Sequence, residues 1–337
     1  MSDFNSSIAF GIGTIARDDA QQTAVVMGDR VASLSDIVAR YSTPGAVAPV
    51  MRHFMPDWDR WHDWLRGLDL DPTDDDFWHP ADSVKFMPPV PEPNCLLQTY
   101  HNYERPSSTT GKPEPSKADR VIPDVFHGSR VALSGHRDTV YCEHGAIELD
   151  FELEVTAVIG RPGSRIKAEK ALDYVAGFTI GNDLTMHFGW WWEPRHNRGR
   201  GDQFRSKNFP GYTPLGPAIV PIDLVGDPHS LRQQVTQDDE LKVDSSTEGM
   251  IWSFNELIEY VSWAIPLQPG DLILGGSPEE LPRPKGVARG IKSGQTIVCI
   301  VEKLGRLETK IVEQDFLQPN EIIDPPIPER VLAQLRT

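Results

Sequence analysis

The chain has 337 residues, of which 39% are hydrophobic, and its formal net charge is −16 at pH 7. This length is enough for one large domain or two unequal domains with a buried core. The negative charge argues against nucleic acid or an anionic membrane as the main partner, so an anionic substrate would require a local cationic spot or a metal ion.

The cysteine pattern and the N-terminal residues bear on the cellular compartment. The three cysteines, Cys95, Cys142 and Cys299, are far apart and form no CxxC motif, which is typical of reduced thiols in a cytosolic protein. The first residues contain no basic segment followed by an apolar core, and no apolar run reaches the length of a membrane span. We therefore expect a cytoplasmic protein that does not bind membranes.

Residues 1–86 are predicted to form a small N-terminal α+β domain. Short strands are expected from about residue 9, followed by a helix that starts at Ser35. Over 57–67, three tryptophans recur at helical spacing, which predicts an amphipathic helix. The segment "MPPVPEPN", residues 87–94, has four prolines and is predicted to be a stiff linker at the domain boundary.

Residues 95–315 are predicted to form a mainly β domain, in which short strands alternate with turns rich in glycine and proline. Two helices are expected in it. One covers 166–177, with Gly177 as its C-cap, and the other begins with a capping box between Ser253 and Glu256. A hairpin that turns at 304–306 is predicted near the end of the domain. Residues 316–337 are expected to form an extended arm that reaches a partner chain.

One strand of this domain carries an unusual number of acids. The segment "LDFELEVTAVIG", residues 149–160, alternates acidic and apolar side chains, which places Asp150, Glu152 and Glu154 on one strand face. Asp183 ends another apolar strand. Two carboxylates on one face and a third from a neighbouring strand suit a hard divalent cation such as Mg²⁺. The alternative is a solvated acidic edge strand, and spacing alone does not decide between them.

Five segments, in order along the chain, resemble motifs of the fumarylacetoacetate hydrolase superfamily. They are "DFELEVTAVIGR", "ALDYVAGFTIGND", "KNFPGYTPLGPAIV", "STEGMIWSFNELIEYVS" and "LQPGDLILGGSP". The resemblance is strong over 120–313 and weaker over 9–35 and 86–104. It implies a mainly β fold with α/β elements, in which a rolled mixed β-sandwich forms the catalytic domain beside a small N-terminal α+β domain. It also implies a homodimer formed through the catalytic domain.

The resemblance implies a role for each matching acid and for one lysine. Glu152, Glu154 and Asp183 would bind Mg²⁺, with Mn²⁺ or Ca²⁺ as alternatives. From its place on the same strand face as Glu152, Asp150 is expected to be a supporting carboxylate and not a ligand. Lys207 would be the active-site lysine, which stabilises developing negative charge or positions water. By composition alone, Lys207 could equally be an ordinary surface lysine.

The resemblance also implies a set of residues that bind the substrate. Ser277 stands where the family has the threonine that holds the substrate carboxylate, and Gly276 precedes it in the same turn. Tyr103 keeps its place in the N-terminal active-site loop. Arg205 belongs to a cationic stretch, "HFGWWWEPRHNRGRGDQFRSK", which is either a solvated loop with a packed tryptophan cluster or a lid whose arginines receive substrate carboxylates.

The chain departs from the family where the general base is expected. The family's loop reads N-Y-x-x-H-x-x-E, and its His and Glu activate water. Here Pro106 and Thr109 occupy those two positions. The remaining candidates for the base are His101, Glu104 and His187, each of which could instead be a structural residue. The metal end of the site is therefore intact, while the acid–base end is altered.

The leading hypothesis is a metal-dependent hydrolase that cleaves a C–C bond in a small 1,3-diketo or acylpyruvate-type acid. The alternatives within the superfamily are a decarboxylase, an isomerase, or a hydratase or dehydratase of a 2-oxo acid. Enolate chemistry of that kind needs no attacking water. A third hypothesis is a binding protein that retained the metal and lost the base.

Overall fold

The computed structural model describes residues 6–17, 20–73, 76–104, 121–143, 148–187, 203–281 and 290–314. The predicted C-terminal arm, 316–337, lies outside these ranges. In these ranges, no helix reaches the length and apolarity that crossing a bilayer requires.

Nineteen strands dominate the described part of the chain. They are β1 (Gly11–Arg17), β2 (Ala20–Met27), β3 (Arg30–Ser33), β4 (Trp78–Pro80), β5 (Lys85–Met87), β6 (Leu96–Tyr100), β7 (Asp124–His127), β8 (Leu133–Ser134), β9 (Thr139–Glu143), β10 (Glu148–Asp150), β11 (Leu153–Ile159), β12 (Val175–Asn182), β13 (Thr185–His187), β14 (Thr213–Pro221), β15 (Arg232–Gln237), β16 (Glu240–Ser246), β17 (Leu272–Leu274), β18 (Thr296–Val301) and β19 (Gly305–Gln314).

Six α-helices, most of them short, accompany the strands. They are α1 (Leu34–Tyr41), α2 (Met51–Phe54), α3 (Trp58–Arg66), α4 (Gln203–Lys207), α5 (Ile222–Val225) and α6 (Phe254–Ala264). Short 3₁₀ segments lie at Met55–Asp57, Ala81–Ser83, Arg130–Ala132, Ala168–Tyr174 and Thr247–Gly249. The predicted helices near 35 and over 57–67 are confirmed as α1 and α3.

The strands form mixed sheets, which confirms the predicted mainly β fold. The largest sheet has twelve strands in the order β4-β3-β2-β1-β14-β12-β11-β17-β6-β7, with β5 on β1 and β8 on β14. A five-stranded sheet has the order β16-β15-β18-β19-β9, and β10 and β13 form a separate two-stranded ribbon. The pairs β17–β6, β14–β8 and β19–β9 are parallel, and the other pairs are antiparallel.

The N-terminal strands continue the large sheet. Ile12 of β1 pairs with Ile219 of β14, so the two predicted domains share one ladder. Met87 ends β5, and residues 88–94 of the proline-rich segment have no regular secondary structure. The segment is held in place because Thr14 Oγ1 donates to the Pro89 carbonyl (2.8 Å). The domain boundary in this segment remains a prediction.

One predicted helix is wrong and one is confirmed. The segment 166–177 forms only the 3₁₀ stretch, and Gly177 lies inside β12 instead of capping a helix. Gly177 is needed there for space, since a Cβ at this position would lie 2.1 Å from the Val220 carbonyl oxygen of the neighbouring strand. The capping box between Ser253 and Glu256 is present at the start of α6.

The central strand β11 is buried on both faces. Val155, Ala157 and Ile159 belong to one apolar cluster, while Val158 belongs to a second. By strand alternation, Glu154 lies on the same side as Val158. Glu154, which is buried, is therefore embedded in the core at one end of the strand rather than lying on a solvated edge.

Candidate metal centre and active site

The predicted single strand over 149–160 is interrupted at residues 151–152. Asp150 pairs with Thr185 in the ribbon, and Leu153 pairs with Asn182 in the large sheet. Between these pairs, the Glu152 N–H donates to the side-chain oxygen of Asn182 (3.0 Å) instead of to a backbone carbonyl. Because this side-chain contact replaces a backbone hydrogen bond of the ladder, β10 ends before it and β11 begins after it. Glu152 therefore lies in a short irregular segment.

This break brings Glu152 next to Asp183. The Asp183 N–H donates to the Glu152 carbonyl (2.9 Å), so the two residues face each other across the gap in the ladder. One carboxylate oxygen from each of Glu152, Glu154 and Asp183 lies within 4.8 Å of the others. Glu154 and Asp183 are each 1% exposed, and Glu152 is half-buried. The three predicted metal ligands thus form one buried cluster.

Lys207, at the end of α4, lies among these carboxylates. Its ammonium donates to Glu152 Oε2 (2.8 Å), Asp183 Oδ2 (2.5 Å) and Thr185 Oγ1 (2.7 Å). An ammonium has three N–H donors, so all of them are engaged. The side chain is 2% exposed, which excludes an ordinary surface lysine. In this arrangement Lys207 acts through its charge and by holding two of the carboxylates.

The electrostatics of the cluster follow from burial and from the mutual repulsion of the acids. Burial, with Asp183 and Glu152 nearby, raises the pKa of Glu154 well above its ordinary value. Burial also raises the pKa of Asp183, to about 6, although the Lys207 ammonium opposes this. For Lys207, burial lowers the pKa, but the Asp183 and Glu152 carboxylates outweigh it and the net shift is upward. Lys207 therefore remains protonated at neutral pH.

The donor set fits a divalent cation. Three ionised carboxylates and one ammonium leave a formal charge of −2 in a buried volume, which a divalent ion would neutralise. Oxygen ligands are those that Mg²⁺, Mn²⁺ and Ca²⁺ prefer. No second cluster of three or more His, Cys, Asp or Glu ligands occurs in the described ranges. Glu152, Glu154 and Asp183 are the residues that would hold the ion.

A glycine turn holds Glu154 from the other side. The Gly276 N–H donates to Glu154 Oε2 (2.7 Å), and Gly276 has a φ of +82°. A Cβ on Gly276 would lie 2.7 Å from the Asn102 Cβ, so only glycine fits between the loop and the carboxylate. Ser277, the next residue, is half-buried. The turn predicted to bind substrate thus also positions Glu154, one of the predicted metal ligands.

The loop before the family's usual base is anchored to the same turn. The Asn102 side-chain amide donates to the carbonyls of Gly275 (2.8 Å) and Trp252 (2.9 Å), and its oxygen accepts from the Trp252 N–H (2.8 Å). His101 precedes this anchor and is half-buried, with a φ of +52°. A positive φ is uncommon for a residue that carries a Cβ and occurs often at functional sites.

The two residues after Asn102 occupy different environments. Tyr103 is 3% exposed, and its hydroxyl accepts a hydrogen bond from Gln233 Nε2 (2.9 Å). Burial raises the pKa of Tyr103 beyond its ordinary range, and the nearby Glu154 carboxylate adds to the effect. Glu104 is exposed, and its backbone N–H donates to the Gly249 carbonyl (3.3 Å). Roles in substrate binding for Tyr103 and in proton transfer for Glu104 remain predictions.

Several predicted site residues lie wholly or partly outside the described structure. The backbone of His187 ends β13 and pairs with Glu148, and Arg205 lies in α4, but neither side chain belongs to the described part. Pro106, Thr109 and residues 188–202 of the cationic stretch lie outside it as well. Their roles therefore remain predictions.

Gln98 is a residue of the site that the sequence did not reveal. It lies in β6 and its Nε2 donates to Asp183 Oδ1 (2.5 Å). The glutamine that follows two leucines in the segment "CLLQTY" was the only available signal. A buried glutamine in a strand is not diagnostic of a metal site, because a backbone carbonyl or another amide could equally satisfy it.

Among the described residues, a mixed β fold holds a buried triad of carboxylates and a buried lysine, an arrangement that suits a divalent cation. Comparison with known proteins specifies the family. Residues 95–312 match the family described as fumarylacetoacetate (FAA) hydrolase C-terminal. The match covers more than half of the chain, which therefore belongs to the fumarylacetoacetate hydrolase superfamily, as the motifs predict.

Several relatives of this chain are named as oxaloacetate tautomerases. The chain is 34% identical over 238 residues to the mitochondrial oxaloacetate tautomerase FAHD2B of Bos taurus, covering 69% of this chain and 71% of that protein. It is 31% identical over 241 residues to the oxaloacetate tautomerase YisK of Bacillus subtilis, covering 70% and 75%.

Solved structures share the fold. A maleylpyruvate hydrolase from Sphingobium, in complex with manganese(II) and pyruvate, has a TM-score of 0.66 at 23% identity and covers 89% of this chain and 99% of its own. A 2-hydroxyhepta-2,4-diene-1,7-dioate isomerase from Mycobacterium marinum has a TM-score of 0.64 at 22% identity, covering 90% and 99%. At these identities the likeness extends to the fold alone.

Proposed function

We propose that this protein is a divalent-metal-dependent tautomerase that interconverts the enol and keto forms of a small 2-oxo dicarboxylic acid, with oxaloacetate as the first substrate to test. The observation that carries the proposal is the buried cluster of Glu152, Glu154 and Asp183 around the fully engaged ammonium of Lys207. The tautomerases among its relatives support the choice of reaction.

The chemistry favours tautomerisation over hydrolysis. C–C bond hydrolysis needs a general base to activate an attacking water, and Pro106 and Thr109 replace the family's His and Glu for that task. Tautomerisation consumes no water: one proton leaves the enol hydroxyl and one is added to the adjacent carbon. When bound, a divalent cation supplies Lewis-acid stabilisation of the negative charge on the oxygen.

The residues of the chain divide this task between charge and proton transfer. Lys207 contributes a fixed positive charge to the cluster, and all three of its N–H donors are already engaged. The proton carrier must therefore be another group. His101 and Glu104, on the loop anchored by Asn102, are the proposed carriers, with His187 as an alternative. Ser277, Gly276, Tyr103 and Arg205 remain the proposed contacts of the anionic substrate.

One experiment separates the three enzymatic outcomes. Oxaloacetate is incubated with the protein and Mg²⁺ or Mn²⁺, and the enol absorbance, the total oxaloacetate and the pyruvate formed are followed together. A tautomerase speeds the decay of the enol without consuming oxaloacetate. Stoichiometric pyruvate would indicate decarboxylation instead. Turnover restricted to acylpyruvates, with release of a carboxylic acid, would restore the hydrolase hypothesis. Binding of the metal with no turnover of either substrate class would support the binding-protein hypothesis.

We also propose that the protein is a cytoplasmic homodimer without nucleic-acid or membrane partners. None of the three cysteines, all of which lie in the described ranges, forms a disulfide, in keeping with a reducing compartment. Light scattering of the purified protein tests the dimer, and cell fractionation of the tagged full chain tests the location.

A further inference from the structure

The carboxylate of Asp183 is held from two sides. Lys207 donates to Oδ2 (2.5 Å), and Gln98 Nε2 donates to Oδ1 (2.5 Å). We infer that Gln98 is a positioning residue of the metal centre, whose amide fixes the Asp183 carboxylate, and that Gly128 provides the space in which this amide lies. The inference rests on the metal site of the proposed function and adds two residues to it.

Strand pairing fixes the position of Gln98. It is the third residue of β6, which pairs in parallel with β17 and antiparallel with β7, opposite Phe126. The side chain is 1% exposed, so its amide is removed from bulk water. A neutral donor supported by two neighbouring strands can orient a carboxylate without adding charge to the cluster. Partners of this kind commonly set the orientation of metal ligands.

The contact with Asp183 also selects one orientation of the Gln98 amide. If the amide were reversed, its carbonyl oxygen would face the Asp183 carboxylate, and two acceptors would repel each other. In the observed orientation, Oε1 points away from Asp183 and has no hydrogen-bond partner among the described residues. Leaving a buried carbonyl in this state costs free energy, so the contact with Asp183 must offset that cost.

Gly128, directly after β7, is the residue that leaves room for this carbonyl. A Cβ at position 128 would lie 2.3 Å from Gln98 Oε1, 2.9 Å from Leu96 Cδ2 and 3.0 Å from Gln98 Cδ. Its φ is not positive, so the requirement is for space and not for backbone conformation. Any side chain at 128 must displace the amide of Gln98, and with it the hydrogen bond to Asp183.

The test measures Mn²⁺ binding without substrate, so it does not depend on which reaction the enzyme catalyses. Gln98→Met keeps the length of the side chain and removes its amide. Gly128→Ala leaves the Gln98 amide in the protein but displaces it from its position. Each is expected to weaken Mn²⁺ binding by about ten-fold or more in titration calorimetry. The matched controls are Gln234→Met, at a buried glutamine of β15, and Gly67→Ala, whose Cβ would make only ordinary contacts.

A purely structural role would give a different pattern. With a purely structural role, Gln98→Met would lower the free energy of unfolding of the metal-free protein, but its Mn²⁺ affinity would equal that of Gln234→Met. That result would overturn the inference. An unchanged affinity in Gly128→Ala alone would overturn the role of Gly128. If Gln98→Met does not fold, Gln98→Asn, whose amide is one methylene too short to reach Asp183, replaces it under the same criteria. Absence of Mn²⁺ binding in the unmodified protein would instead refute the metal site of the proposed function.

Discussion

The Lys207 ammonium and the Asp183 carboxylate form an ion pair of 2.5 Å in which each side chain is only 2% exposed. Buried pairs of this kind are rarely retained for stability alone, because desolvation of both charges offsets their attraction. Here the pair is also unbalanced, since Glu152 and Glu154 add two further acids to the same volume. The cluster is therefore best explained as a preformed receptor for a cation.

Removal of the lysine charge tests this explanation. In Lys207→Met, the three acids lose their ammonium partner, and the metal-free protein is expected to lose about 3–5 kcal/mol of unfolding free energy. Tautomerase turnover should fall by about 100-fold or more. Urea unfolding in EDTA and the enol assay measure the two effects. Lys242→Met, at a lysine of β16 outside the cluster, is the control, and equal behaviour of the two variants would refute the role of Lys207.

Substitution of Glu154 by glutamine should have opposite effects on stability with and without metal. The raised pKa of Glu154 means that its ionised form is unfavourable in the metal-free fold. Glu154→Gln removes that charge and keeps an acceptor for the Gly276 N–H, so the metal-free protein should melt at a higher temperature. The stabilisation by Mn²⁺ should disappear. Thermal melts with EDTA or Mn²⁺ measure both effects, and a cation-dependent shift equal to that of the unmodified protein would exclude Glu154 as a ligand.

The pKa values also predict how metal binding depends on pH. Protons compete with the cation for Asp183, whose pKa is about 6, and for Glu154, whose pKa is raised well above its ordinary value. A carboxyl group whose pKa is raised by folding destabilises the metal-free protein as pH rises from the unfolded-state pKa to the folded-state pKa. A bound cation offsets this destabilisation. The melting-temperature difference between Mn²⁺-loaded and metal-free protein should therefore grow between about pH 5 and about pH 8. A difference that is constant over this range would contradict ligation by these two acids.

The glycine turn offers a test in which backbone strain and crowding are separated. Gly276→Ala imposes a side chain at a φ of +82° and places its Cβ against Asn102, so the turn must move away from Glu154. Gly294→Ala carries the same kind of strain, with a φ of +89°, but its Cβ would meet nothing within 4 Å. We expect turnover to fall by about ten-fold or more in Gly276→Ala only. Equal losses of activity in both variants would show that strain alone is responsible.

The proton carrier is tested by a substitution that is compatible with the positive φ of His101. Asparagine tolerates the left-handed conformation of His101 and has no group that titrates near neutral pH. His101→Asn should lower the turnover number by about 100-fold and leave Mn²⁺ affinity unchanged. The matched control is His79→Asn, at a residue of β4 in the N-terminal part of the sheet. Full activity in His101→Asn would transfer the role to Glu104 or His187.

The sequence predicted the acids of the site better than their surroundings. Glu152, Glu154 and Asp183 were singled out because charged residues in or at the end of apolar strands are conspicuous. Only the resemblance to the family singled out Lys207. The break at 151–152 was not predicted, because the strands on its two sides pair with their neighbours in the same register. The alternation of side chains in the sequence therefore continues through the break. At the break, the Glu152 N–H donates to the side chain of Asn182, which belongs to the neighbouring strand β12.

Gln98 and Gly177 show why other features could not be predicted. The contact between Gln98 and Asp183 joins residues 85 positions apart, which no local pattern encodes. Gly177 follows a segment with helical spacing, and its packing against Val220 of β14 decided in favour of a strand. Tertiary contacts of this kind override local preference.

The most direct test of the central claim is the rate of enol decay of oxaloacetate in the stopped-flow, measured on protein stripped with EDTA and then titrated with Mg²⁺. The account predicts no acceleration over the buffer and metal blank for the stripped protein, and full activity at one equivalent of bound Mg²⁺. It also predicts that Glu154→Gln stays inactive at every Mg²⁺ concentration. Acceleration by the stripped protein that equals that of the Mg²⁺-loaded protein would contradict a metal-dependent tautomerase at this site.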